Sequence, residues 1–523
     1  MEIRKFKRVL VANRGEIAIR ILRACKELGI RGVAVYSEED KNSLFRTKAD
    51  EAYQIGRGKS PVDAYLSIDG IIELAKAKGV DAIHPGYGFL SENTEFARAC
   101  EEAGIVFIGP DCVMMDSLGD KVKSKIVAAK AGVPTIPGIA ETIPSVEVAL
   151  EFAEKCGYPV MLKAAAGGGG RGMRIVRSKD ELPEQFESAR SEARKAFGID
   201  DIFIEKYIER PKHIEVQVLG DNYGNIVHLY ERDCSIQRRH QKVVEFTPAL
   251  SITQEQRERI CADAIKIASA VNYRSAGTVE FLVDSDGNHY FIEMNPRIQV
   301  EHTVTEMTTG VDIVQSQILI AEGYSLDSEE VNLKSQADIK QNGYAVQCRL
   351  TTEDPVNGFA PDTGIITKYI SAGGFGIRLD AGNAAVNSEI SPYYDSLLVK
   401  VTAWSRTFKD AVNKAKRALN EMNVKGVKTN RAFLLNVLNH PAFKAGMCDT
   451  GFIADNPNLL NISVKEDKEL KVLNFLGEKY VNGNRGVKPE FNIPVFPRIK
   501  PAELSGLQGT RQLLDAEGPE GVV

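Results

Sequence analysis

Four consecutive glycines, Gly167-Gly168-Gly169-Gly170, constrain this chain more than any other feature. Pro159-Val160-Met161-Leu162-Lys163 leads in as a strand-like run, and Met173-Arg174-Ile175-Val176 resumes the β pattern after Arg171-Gly172. Ordering such a run costs much conformational entropy. It makes physical sense where bare backbone N–H groups close over an anion, with Lys163 and Arg171 adding charge. The bland alternative is a flexible hairpin tip. A P-loop is excluded, because Gly-Lys-Ser/Thr and a following helix are both missing. The segment predicts a phosphate-covering flap between two strands.

A carboxylate pair comes next. Thr278–Val283 and His289–Met294 flank Asp284-Ser285-Asp286-Gly287-Asn288. Asp-Gly favours a two-residue type I′ turn, and with Asp286-Gly287 at the tip Glu280 falls opposite Glu293. Opposed like charges destabilise a sheet. A divalent cation between them removes the penalty, and oxygen ligands near phosphate point to Mg²⁺ or Mn²⁺. The alternatives are two glutamates facing solvent, or a bulge that breaks the register. Just beyond, Asn295-Pro296-Arg297-Ile298-Gln299-Val300-Glu301-His302 is dense in polar groups. So is the run from Glu231 to Lys242. Taken alone, a charge run reads as a solvated face. His240 then reads as structural, and Cys234 as packing rather than nucleophile.

Around this centre the chain is organised in pieces. Residues 1–118 alternate strands and helices, beginning with Lys7–Ala12, a turn at Asn13-Arg14-Gly15, and a helix that stops at Gly29. Such βαβ alternation predicts a parallel sheet. Nicotinamide binding is disfavoured, since the first turn is not G-x-G-x-x-G. After about residue 336 the pattern turns β-rich, with a helix from Phe408 to Met422. From about 450 it thins toward a proline-bearing extended stretch at 492–501.

Composition narrows the partners. The chain has 523 residues, enough for several domains, and a net charge of -5. That balance argues against nucleic acid or an anionic membrane, and no apolar run approaches the ~20 residues of a membrane span. The charged N-terminus predicts no signal peptide. Eight scattered cysteines without CxxC or zinc spacing predict reduced thiols and a cytoplasmic location.

The motifs together resemble the biotin carboxylase component of biotin-dependent carboxylases, in the ATP-grasp superfamily. They are Ala12 to Ala18, His84 to Asn93, Gly119-Asp120-Lys121, the glycine flap, Glu231 to Val244, and Phe291 to His302. Cys348 to Pro355 and Gly373 to Asp380 read like the pyruvate carboxylase branch. One local departure is Phe246-Thr247 before Pro248, where the family more often has smaller residues. The resemblance implies an α/β ATP-grasp fold. It would comprise an N-terminal Rossmann-like domain (1–118), an ATP-grasp domain (119–335) with a glycine-rich lid at about 137–204, a C-terminal β-rich domain (336–449) and a linker or tether (450–523).

It also implies a reaction, in which ATP and bicarbonate give carboxyphosphate and biotin on a carrier captures the CO₂. Lys121, Lys163 and His213 would contact the ATP phosphates, with Gly169 and Gly170 in the flap. Glu205, Lys206 and Ile208 would hold adenine and ribose, and Gln237 and His240 would face the nucleotide. Glu280, Glu293 and Asn295 match metal ligands. Lys242, Arg297, Gln299 and the backbone of Val300 match a bicarbonate site. Glu301 matches the general base, and Arg349 the group that stabilises the biotin enolate. The implied partners are a biotinylated carrier, a carboxyltransferase domain or subunit, and a second copy in a dimer. The rivals are an acyl-CoA carboxylase subunit, a carbamoyl-phosphate-type ligase, and a catalytically silent assembly subunit.

Overall fold

The computed structural model describes residues 2–139, 141–164, 173–197, 201–462 and 468–482. The chain divides into a large body, Met1–Ile462, and a C-terminal piece, Ser463–Val523, whose described residues form the helix Lys468–Asn482. The four glycines and Arg171 lie outside the described residues.

The N-terminal part is a five-stranded parallel sheet, β1 (Arg8–Val11), β2 (Arg31–Tyr36), β3 (Glu51–Gln54), β4 (Ala82–His84) and β5 (Val106–Phe107), in the order β3-β2-β1-β4-β5. Val9 and Val11 of β1 enter one hydrophobic core and Leu10 another. Alternation into two cores is what a sheet covered on both faces requires. The helix Gly15–Glu27 ends at Gly29, whose φ of 72° suits the left-handed region that glycine enters freely. Strand β3, half-buried along its length, carries no apolar run to mark it in the sequence. Asn13, just after β1, donates to the Pro85 and Tyr87 carbonyls at 2.7 and 2.8 Å. Those bonds join the first two motifs. Gly86 allows the approach, since a Cβ there would lie 2.9 Å from the Asn13 amide nitrogen.

A small sheet is next in the chain, β6 (Val160–Ala164), β7 (Met173–Val176) and β8 (Ile202–Lys206), in the order β7-β6-β8. Strands β6 and β7 pair antiparallel, with Lys163 opposite Met173. Val160, Leu162, Val176, Phe186 and Ile204 belong to a core of their own.

The largest sheet has eight antiparallel strands. They are β9 (Lys212–Gly220), β10 (Ile226–Arg238), β11 (Gln241–Thr247), β12 (Ser275–Val283), β13 (His289–Asn295), β14 (Tyr344–Thr351), β15 (Ile377–Ala381) and β16 (Leu397–Ser405), in the order β13-β12-β9-β10-β11-β14-β16-β15. The solvated-face reading of Glu231–Lys242 is corrected here, because Glu231 to Ile236 are buried in the middle of this sheet. Each charge has partners. Arg232, with no exposed surface, donates to Gln217 (2.9 Å), Thr305 (3.0 Å), Thr278 (3.2 Å) and Gln299 (2.8 Å). Glu231 accepts from Arg257 at 2.7 Å, and Asp233 from the Ser235 amide at 2.9 Å. Burial of charge is tolerated only with such pairing.

The β12–β13 turn also differs from expectation. It is not a two-residue Asp-Gly turn but a loop in which Asp284 accepts from the amides of Asp286 (3.0 Å) and Asn288 (2.9 Å). Asp221 organises the β9–β10 loop in the same way, through Tyr223 and Asn225. Near the tip Phe281 pairs with Phe291, and a bulge at Ile292 then shifts the register by one. Glu280 therefore does face Glu293.

Beyond β14, the helix Phe408–Glu421 packs under β16, and Phe246 fills this core beside Phe408 and Phe443. The bulk at position 246 is thus spent inside, away from any surface. Phe452 and Leu459 belong to the same core, so packing continues through residues where the sequence pattern thins.

Candidate active site

A cavity of about 2020 Å³ opens between the parallel sheet, the small β6–β8 sheet and the large sheet. Lys163, Glu205, Lys206, Ile208, His213, Gln237, His240, Lys242, Glu280, Glu293, Asn295, Arg297, Gln299, Val300, Glu301 and Arg349 all line it. Lys121 opens the helix Lys121–Lys130, and its side chain lies outside the described part, as do Gly169 and Gly170.

At the centre stands Lys242, on β11 just past a tight turn whose Arg239 and His240 both have positive φ, 50° and 64°. Its ammonium meets Glu301 at 2.8 Å, Glu280 at 3.1 Å, and Glu215. Burial disfavours that charge, yet the three carboxylates hold its pKa well above the usual lysine value. Glu215 is fully buried, and Lys242 overrides burial to hold its carboxyl at about 2. His213 sits 2.8 Å from Glu280, and the neighbouring carboxylates raise it to about 9 against the opposing effect of burial.

Glu301, 2% exposed, lies between Lys242 and Arg349, the latter 2.9 Å away. Burial would raise its pKa, but Lys242 and Arg349 draw it below the ordinary range. Arg349 is itself held by Glu245 at 2.5 Å, and Gln347 donates to the other oxygen of Glu245 at 3.0 Å. Arg297 donates to Glu92 at 2.9 Å and to Asn295 at 3.0 Å. Gln299 accepts from Arg232 and donates to Glu280 at 2.7 Å. A fixed cluster of alternating charge, carried by neighbouring strands and the segment after β13, can bind a small anion and meet charge that develops in a reaction.

Glu280, Glu293 and Asn295 are adjacent, with the Asn295 amide 2.8 Å from Glu280 and 3.4 Å from Glu293. Opposed carboxylates beside an amide are a hard-oxygen donor set, so these residues fit Mg²⁺ or Mn²⁺. His213, Glu215 and Glu280 also approach within 4.8 Å of one another. Lys242 already supplies the positive charge on that side, which leaves the Glu293 side for a cation.

At the far end, Glu205 on β8 binds Lys163 and, at 2.9 Å, Lys125. The Lys206 ammonium turns back to the Gly157 and Tyr158 carbonyls at 3.0 and 2.9 Å, so only its backbone is free to face a ligand. The Gln237 side-chain amide lies 3.0 Å from His213 Nδ1, while His240 is exposed at the turn.

Sequence reasoning missed Glu215, Glu245, Glu92 and Lys125. One signal was present: Glu215 shares a strand face with His213 at a spacing of two. Glu245 stands opposite Gln347 in the β11–β14 register, which is visible only after the strands are paired.

Comparison with known proteins agrees with this geometry. Residues 5–115 match the family model "Biotin carboxylase, N-terminal domain", 120–329 "Carbamoyl-phosphate synthase L chain, ATP binding domain", and 347–455 "Biotin carboxylase C-terminal domain". The chain is 56% identical to pyruvate carboxylase of Bacillus subtilis over 529 residues, covering 100% of itself but 46% of that protein, so it spans about half the length of such relatives. Among solved structures, the 2-oxoglutarate carboxylase biotin carboxylase domain dimer of Hydrogenobacter thermophilus, with MgADP, ADP and bicarbonate, is 52% identical. The match covers 88% of this chain and 99% of that one, with a TM-score of 0.80. The biotin carboxylase subunit of a pyruvate carboxylase is likewise 52% identical, covering 87% and 99%, with a TM-score of 0.77. With an ATP-binding body between two biotin carboxylase domains and a match to 99% of the length of solved members at 52% identity, the chain belongs to the biotin carboxylase family.

Proposed function

We propose that this chain carboxylates biotin on a carrier protein, using ATP and bicarbonate, with carboxyphosphate formed on the way. The observation that carries the reading is Glu301 lodged between Lys242 and Arg349, beside the Glu280–Glu293 pair. A carbamoyl-phosphate-type ligase shares the nucleotide end but has no need of a base braced by an arginine of β14.

In this reading Lys242, Arg297, Gln299 and the Val300 backbone bind bicarbonate, and the arginine fork suits a planar oxyanion. A bound anion engages Lys242 and loosens its hold on Glu301, which raises the proton affinity of that carboxylate toward that of a working base. Arg349, oriented by Glu245, meets the negative charge on biotin after deprotonation. Lys121, Lys163 and His213 contact the ATP phosphates under Gly169 and Gly170. Glu205, Lys206 and Ile208 hold adenine and ribose, with Gln237 and His240 facing the nucleotide. Glu280, Glu293 and Asn295 hold Mg²⁺ or Mn²⁺, which when bound neutralises phosphate charge.

The same reading gives the domains as 1–118, 119–335 with a lid at about 137–204, and 336–449, with a tether expected from 450 whose first residues, through Phe452 and Leu459, still pack into the third domain's core. The residue ranges of the three family models support this division without fixing its edges. A biotinylated carrier and a carboxyltransferase would complete the enzyme, with two copies pairing. Pyruvate is the acceptor favoured by the curated relatives, and another 2-oxo acid by the thermophilic one. Eight unpaired cysteines support a reducing compartment such as the cytoplasm, although some relatives are named mitochondrial. Among the described residues no helix is long and apolar enough to cross a membrane. The test is ATP cleavage that requires bicarbonate and rises with free biotin. A silent assembly subunit shows neither, and a different ligase needs another acceptor.

A further inference from the structure

Lys125 has no part in the proposed reaction, yet it reaches the nucleotide end of the cavity. It lies one turn beyond Lys121 on the helix Lys121–Lys130, and so on the same helix face. Its ammonium is 2.9 Å from one oxygen of Glu205, whose other oxygen binds Lys163. The Glu205 side chain is 11% exposed and each lysine 35%. One nearly buried carboxylate therefore holds two cations, from a helix and from a strand.

The two lysines stand in different places relative to the nucleotide. Lys163 is on the strand that leads into the glycine segment and is assigned to an ATP phosphate, whereas Lys125 has no such assignment. To reach a phosphate, Lys163 has to release Glu205. A buried carboxylate stripped of its cation is strongly destabilising, and without a second cation that penalty would be subtracted from ATP binding. A partly exposed ion pair adds little to folding stability, so fold stability alone is a weak reason for Lys125.

We propose that Lys125 is a positioning residue for the nucleotide: it keeps Glu205 paired while Lys163 transfers from that carboxylate to the phosphates. The inference rests on the nucleotide assignments of the proposed function.

The test is equilibrium binding to the full chain, with Mg²⁺, of the non-hydrolysable analogue AMP-PNP and, separately, of adenosine, which has no phosphate to draw Lys163 away. Lys125→Met should weaken AMP-PNP about tenfold, a difference of about 1.4 kcal/mol, and leave adenosine within about twofold. Lys125→Arg should restore AMP-PNP affinity. In a Glu205→Gln background, Lys125→Met should have no further effect, because no charge is left to pair. Equal weakening of both ligands, no weakening of either, or an undiminished effect in that background would overturn the proposal. Should Lys125→Met not fold, Lys125→Gln is measured instead, and failure of both would assign Lys125 to stability and overturn it too. Wild-type chain that binds AMP-PNP but shows no bicarbonate-dependent ATP cleavage would remove the biotin carboxylase reading and leave this one standing. Wild-type chain that binds neither ligand would remove both.

Discussion

In the proposed function Glu301 has to take a proton from bicarbonate, while Lys242 and Arg349 hold its carboxylate ionised. That tension separates the roles of neighbouring residues. Glu301→Gln keeps size but cannot accept a proton, so ATP cleavage and biotin carboxylation should fall together. Arg349→Ser removes stabilisation needed only once biotin is deprotonated. Carboxylation should then drop by ~10²–10³ while bicarbonate-dependent ATP cleavage survives better. Equal losses in both assays would move Arg349 into the bicarbonate site. Glu293→Gln should raise the Mg²⁺ needed for half-maximal ATP cleavage without lowering the melting temperature. An unchanged metal requirement would show that the Glu280–Glu293 pair is not the cation site. Lys242, Arg297, Glu301 and Arg349 were legible because they stand in recognisable motifs. Glu215 and Glu245 were not, because a buried carboxylate within a strand looks the same in sequence as one that faces water.

At the scale of elements, the β12–β13 hairpin shows how a sound conclusion can rest on a wrong intermediate. Asp-Gly suggested a two-residue turn, the real loop is organised by the Asp284 side chain, and the bulge at Ile292 returns Glu280 to Glu293. Neither loop nor bulge has a periodicity signal. Strand β10 failed for another reason: whether Glu231–Arg238 is solvated depends on which strands flank it, which is non-local. The helix Gly15–Glu27 and strands β15 and β16 are joined through Lys400, fully buried, 2.9 Å from Glu16 and 3.7 Å from Asp380. Lys400→Met leaves both carboxylates without that cation and should destabilise the chain by about 3–5 kcal/mol in denaturant unfolding. A loss below about 1 kcal/mol would mean the network does not join these elements. Asp380 carries a pH signature as well. Burial opposes its ionisation, but Lys400 and Arg378 hold its carboxyl at about 2 against an ordinary 3.8. The unfolded chain thus binds more protons in that window. The stabilisation, about 2 kcal/mol, is present above the unfolded value and lost as pH falls toward 2. Asp380→Asn should show a correspondingly shallower loss of stability between pH 4 and pH 2. An identical slope would contradict the assignment.

For the whole molecule, the alternation of strand and helix in residues 1–118 and the β-rich later half were legible, because periodicity is local. How the loops after β1 and β4 meet the ends of β11, β12 and β14 around one cavity was not, since no local pattern records it. The central claim concerns that convergence: Lys242, Glu301 and Arg349 are brought together with His213 around shared carboxylates, with Glu205 and Lys163 at the far end of the same cavity, to move a carboxyl group from bicarbonate to biotin. The most direct measurement supplies the purified chain with ATP, Mg²⁺, labelled bicarbonate and free biotin, and tracks label in carboxybiotin alongside phosphate release. The account predicts ATP-dependent labelling of biotin and phosphate release that requires bicarbonate and rises with biotin. Phosphate release indifferent to bicarbonate, or release without any labelled biotin, would contradict it.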